Sequence, residues 1–117
     1  MKIHVKHYDT ESVLRLEGDF LSEPDQKMLR ERVRELVAEG KSRLVVDLTH
    51  VHYINSCGLG SLVCSMTIAR KAGGDLGLAG VGREVREILR VTRLDSIFEI
   101  HPSLEPVQSA QKAHHQH

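Results

Sequence analysis

The chain of 117 residues has no tryptophan, two phenylalanines and two tyrosines, so aromatic packing contributes little and the core must be built from Val, Leu and Ile. Neither sign of charge is in excess: sixteen basic residues offset sixteen acidic ones. That balance removes the field that draws a protein toward nucleic acid or an anionic membrane, and neither partner is expected. No apolar run approaches the roughly eighteen residues of a membrane span, and the first residues lack the pattern of a secretion signal. The expectation is a cytoplasmic protein without direct membrane insertion.

Cysteine is also scarce. Cys57 and Cys64 stand seven residues apart, which puts them on one side of a helix but too far apart for a disulfide. Their spacing fits neither a redox pair nor half a zinc finger, so reduced thiols are expected. The length suits one domain that buries a single core without staples.

Against these absences, one stretch stands out, Leu44 to Met66. It opens with the contiguous apolar run Leu44-Val45-Val46 and closes with Leu59, Leu62, Val63 and Met66 at helical spacing; the small residues Asn55-Ser56-Cys57-Gly58 lie between. A strand over Arg43–Leu48, ended by Asp47, is predicted to be buried on both faces. A helix from Gly58 to about Lys71 would then aim its unpaired amides, near Leu59, Gly60 and Ser61, at whatever sits beside Ser56 and Cys57.

The remaining chain supplies partners for that unit. Alternation over Lys2–His7 and Ser12–Glu17 predicts an N-terminal hairpin turning at Thr10 and Glu11. Ser22 and Pro24 open a helix with the stripe Leu29, Val33, Leu36 and Val37, closed by Gly40. Gly73-Gly74 precedes a strand over Asp75–Ala79, so strand, helix and strand imply a parallel pair with a right-handed crossover. A further helix buries Val85, Ile88, Leu89 and Thr92, and Ile97–Ile100 makes a last strand or an apolar plug. Leu104 and Val107 are candidate anchors of a short helix. The domain is expected to span 1–107, with a polar tail over 108–117. The fold class is α/β, a mixed central sheet flanked by helices.

Several motifs invite chemistry and are better explained without it. Gly58-Leu59-Gly60 lacks the lysine of a phosphate loop and the third glycine of a dinucleotide fingerprint, so its expected task is to let the backbone turn and a partner approach. Cys57 with His50 or His52 has the parts of a thiol nucleophile and base but no third orienting residue. The histidines of the tail are assigned no metal, and no cofactor is expected. Arg83, Arg86, Arg90 and Arg93 share one side of the last helix, a candidate patch for an acidic partner that Glu84 and Glu87 dilute.

Asp47-Leu48-Thr49 followed by Ile54-Asn55-Ser56-Cys57-Gly58-Leu59-Gly60 resembles the D-L-S…(M/I)-D-S-S-G-L-G signature of STAS-domain anti-sigma factor antagonists. The segment from Val85 to Ile100 is similar to that family's V-x-x-x-L-x-x-T-G-L-D-x-x-F-x-I. The resemblance implies a non-enzymatic protein that binds an anti-sigma factor, commonly a serine kinase, and frees a sigma factor; a phosphatase reverses the kinase. It implies a monomer or weak dimer whose partner-binding residues are Phe20, Leu21, Asn55, Ser56, Cys57, Gly58, Leu59, Gly60, Ser61 and Ser65, with Thr67 beside them. The family's phosphorylated serine precedes the glycine, where this chain has Cys57; Asn55 and Leu21 likewise replace aspartates. Three readings of Cys57 stay open: a permanent binding state, transfer of phosphorylation to Ser56, or a thiol sensor. Alternatives from other classes are a scaffold subunit of a stress-signalling assembly or lipid-transport ATPase and, more remotely, a thiol enzyme.

Overall fold

The structure, a computed structural model, describes residues 1–19 and 22–102. Phe20, Leu21, Leu104, Val107 and the histidine-rich tail lie outside the described residues. Strands β1 (Lys2–His7) and β2 (Ser12–Glu17) form the expected hairpin, followed by α1 (Glu23–Ala38), β3 (Arg43–His50), α2 (Ser56–Lys71), β4 (Asp75–Ala79), α3 (Arg83–Val91) and β5 (Ile100–His101). The five strands lie in the order β1-β2-β3-β4-β5, the first pair antiparallel and the others parallel.

Alternation along the strands explains why the helices gather where they do. Leu14, Leu16, Leu44, Val46, Leu48, Leu76 and Leu78 lie in one buried cluster with Leu29, Val33 and Leu36 of α1, Leu59, Leu62 and Met66 of α2, and Val85 and Leu89 of α3. Each fully buried aliphatic side chain contributes about 1.5–3 kcal/mol. Val13, Val45 and Ala79 form a second, smaller cluster with Tyr8. The contiguous apolar run of β3 thus serves both faces.

Three expectations are corrected. Asp47 does not end β3; it is buried inside a strand that continues to His50. Its Oδ1 accepts the backbone N–H of Thr49 at 3.0 Å and the Thr49 hydroxyl at 2.5 Å, so the carboxylate satisfies the end of the strand from within. Thr92 is exposed at the end of α3 because its hydroxyl bonds back to the Ile88 carbonyl at 2.6 Å. The last strand is only Ile100–His101; Phe98, buried after a 3₁₀ turn over Leu94–Ser96, is the plug.

Candidate functional site

The connection from β3 to α2 turns abruptly as Val51 N–H donates to the Leu48 carbonyl at 3.0 Å. Val51 and Ile54 then fold back into the core, and the residues between them, His52 and Tyr53, are left outside. Tyr53, 58% exposed, is a large side chain standing on this rim. Asn55 caps α2: its backbone is extended and its side-chain oxygen accepts the Gly58 N–H at 2.8 Å, while its carbonyl accepts the Leu59 N–H at 3.0 Å.

This cap moves the helix start. α2 begins at Ser56, two residues before the predicted Gly58, and the first-turn amides without an intrahelical partner are those of Ser56, Cys57 and Gly58, the last held by the Asn55 side chain, rather than Leu59 to Ser61. Ser56 and Cys57 are exposed in the first turn, and Asn55 is half-buried beneath them. No acidic residue stands in that turn.

The helical phase overturns part of the predicted contact set. Leu59 is 4%, Ser61 2% and Ser65 0% exposed, and Gly58 is buried, so none offers its side to a partner. Leu59 joins the core, and Ser61 donates its hydroxyl to the Gln26 carbonyl of α1 at 3.0 Å. Ser65 follows one turn later, its hydroxyl buried with no hydrogen-bond partner among the described residues. The outward face of α2 instead carries Cys57, Gly60 and Thr67, with Cys64 and Val63 half-buried beside them. Sequence spacing fixed the stripe of Leu and Met but not the width of the buried sector, because serines are small enough to sit between helices.

Tyr53 and Asp47 also lie at this connection, without a marked role in the sequence. The signal for Tyr53 is a lone aromatic in a polar turn of an aromatic-poor chain. Asp47 positions the site indirectly, and Gly80 shows how tightly: it adopts φ +65°, and a Cβ built there would press on the Thr49 hydroxyl and lie 2.8 Å from Asp47 Oδ1. His50 and His52 are exposed, as is the arginine row of α3, where Arg90 is bound bidentately by Glu87 at 2.6 and 3.0 Å. Both cysteines are free thiols. Among the described residues no group of three or more His, Cys, Asp or Glu is placed to hold a metal, and no helix is long and apolar enough to cross a membrane.

A one-layer arrangement of helices on a mixed sheet, with a capped helix whose first turn carries small exposed residues, defines a small α/β domain. Residues 2–106 match the STAS domain family, and the chain belongs to it. It is similar to a Bordetella bronchiseptica protein named as the anti-sigma factor antagonist BtrV, 28% identical over 112 residues that cover 96% of each chain. A crystal structure of an anti-sigma factor antagonist from Mycobacterium paratuberculosis is 26% identical, with a TM-score of 0.79 over 95% of this chain and 93% of that one. A Thermotoga maritima structure of the same description shares the fold, with a TM-score of 0.83 over 94% of each chain at 21% identity.

Proposed function

We propose that this STAS domain is an anti-sigma factor antagonist, a cytoplasmic, non-catalytic protein that docks the mouth of α2 onto an anti-sigma factor of the switch-kinase type and so frees a sigma factor. The domain is taken as residues 1–107. Tyr53, Asn55, Ser56, Cys57 and Gly60 form the contact surface, with Phe20 and Leu21 as further candidates.

The observation that carries this reading is Gly60. It lies inside α2, exposed and without positive φ, and a Cβ built on it would meet nothing within 4 Å among the described residues. Glycine there costs about 0.5–1 kcal/mol relative to alanine, and no packing or turn among the described residues requires it. A surface kept bare at that cost is explained by another backbone approaching it closely. Gly60→Ala is therefore expected to raise the unfolding free energy by about 0.5–1 kcal/mol while weakening capture of the switch kinase at least tenfold. An alanine variant that binds as well as the parent removes the reading.

Phosphorylation in this reading falls on Ser56. A thiol is not a substrate for ordinary serine kinases, whereas the Ser56 hydroxyl is exposed at the first position of the helix. A phosphate there adds nearly two negative charges at the favourable end of the helix dipole, so the helix tolerates it and the partner is repelled. Incubation with the cognate kinase and Mg-ATP, followed by peptide mass spectrometry, is expected to place phosphate on Ser56 and none on Cys57. A chain left unmodified, while a control antagonist is phosphorylated, supports the permanently binding alternative instead.

A further inference from the structure

Strand β1 is the margin of the sheet: β2 lies on its inner side and no described strand lies beyond it. Such an edge presents backbone N–H and C=O groups at alternate residues, a template for one more strand. Its side chains divide by face. Lys2, His4 and Lys6 lie opposite Glu17, Arg15 and Val13 on the face away from the helices, and Ile3 and Val5 turn half-buried toward the core.

Glu17 is engaged by His4 at 3.3 Å and by Arg15 at 3.1 Å. Lys2 and Lys6 make no ion pair among the described residues; Lys6 Nζ stands 5.5 Å from the centre of the Tyr8 ring. On the helix side of the same edge, a groove of about 480 Å³ opens between β1 and α1. Ile3, Pro24 and Met28 give it an apolar floor, and Met28 is 41% exposed. Its charged rim is already neutralised by the pairs Lys27–Glu31 and Arg32–Glu35.

A second copy of the chain is a poor occupant. Directly opposed residues of an antiparallel pair share a face, so every two-fold pairing of β1 with itself sets Lys2, His4 and Lys6 against one another. Like charges in that position are destabilising. A strand carrying carboxylates at alternate positions reverses the sign of that contact, and aliphatic residues between them would extend the apolar floor.

We propose that the edge of β1 receives an extended segment of a partner protein in which acidic and aliphatic residues alternate, added as a sixth strand. Backbone hydrogen bonds would supply much of the affinity, and Lys2, His4 and Lys6 on one face, with Ile3, Pro24 and Met28 on the other, would set the choice of sequence. This surface is separate from the mouth of α2, so it stands whether or not that mouth binds a switch kinase.

The test titrates the isotopically labelled full chain with three blocked eight-residue peptides: alternating Glu and Val, the same composition with four Glu before four Val, and alternating Lys and Val. The alternating acidic peptide is expected to shift and protect the amides of β1, and to bind at least tenfold more tightly than the block peptide. Added salt is expected to weaken it. Lys6→Glu, at an exposed position opposite Val13, should lower that affinity about fivefold and raise it for the Lys and Val peptide, with the circular dichroism unchanged. Met28→Ser should weaken both peptides without altering the charge preference. Equal binding of the alternating and block peptides, protection that spares β1, no binding at all, or protection of β1 by self-association without peptide would each overturn the proposal.

Discussion

Two of the strand-to-helix units on the sheet, β3–α2 and β4–α3, are built differently. The unit β3–α2 crosses a five-residue turn, has its helix capped by the Asn55 side chain, and ends with Arg70 tied to Asp75 at 2.8 Å and to the Ile97 carbonyl at 2.7 Å. In the unit β4–α3 the turn is Gly80-Val81-Gly82, no side chain caps the helix, and its end is followed by Arg93 in the left-handed region at φ 62°. The first helix is therefore fixed at both ends while its mouth is open. The second is held mainly by its stripe of Val85 and Leu89. The first residue of its turn, Gly80, lies against Thr49 and Asp47 near the end of β3.

That contrast can be broken most severely at Gly80. Gly80→Ala requires both a left-handed alanine and displacement of the Thr49–Asp47 contact, so a loss of at least about 2–3 kcal/mol is expected in urea unfolding. A variant of parental stability would show that the two turns are not coupled. Asn55→Ala removes the side-chain cap of α2 at an expected cost of about 1 kcal/mol. Its second readout is amide exchange, which should quicken at Gly58 and remain unchanged in α3.

Smaller effects sharpen the comparison at the far ends of the helices. The family segment resembled by Val85–Ile100 has glycine where this chain has Arg93, and the observed φ explains that preference. Arg93→Gly should stabilise the chain by about 0.5–1 kcal/mol by relieving left-handed strain, less the added freedom of the unfolded glycine. An unchanged melting temperature would mean that the strain is compensated elsewhere.

The smallest effect concerns Arg70 and Asp75. Burial pushes the Asp75 carboxyl up, but the hydrogen bonds from Arg70 and from the Leu76 N–H outweigh it and hold the group below its usual range. A carboxylate lowered on folding adds stability above its ordinary pKa of about 3.9, and that contribution is lost as pH falls through the folded value. Arg70→Gln should therefore shrink the stability difference between pH 7 and pH 3. Because both side chains are substantially exposed, the change should stay below about 1 kcal/mol.

The elements of both units could be read from periodicity and from glycine, proline and asparagine at their ends. The hairpin, the apolar run of β3 and the stripe of α1 needed nothing more, since alternation and helical spacing state directly which side is apolar. The site was harder to read. Ser61 and Ser65 have the composition of an exposed face yet are buried, and Asp47 has the composition of a turn yet lies inside a strand. For Ser61 and Asp47 a group distant in sequence, the Gln26 carbonyl or the Gly80 turn, lies against the small polar group. Tyr53 shows the opposite case: Val51 and Ile54 both return to the core and leave an aromatic side chain outside.

By itself the sequence determined the order of strands and helices, the aliphatic core, and the place where the chain passes from β3 to α2 through small residues, because each follows from the local alternation of apolar and polar side chains. Only the tertiary structure decided that Ser61 and Ser65 face inward and that Gly60 lies bare on the surface. Those depend on the rotation of one helix against another, which is set by contacts between residues far apart in the chain.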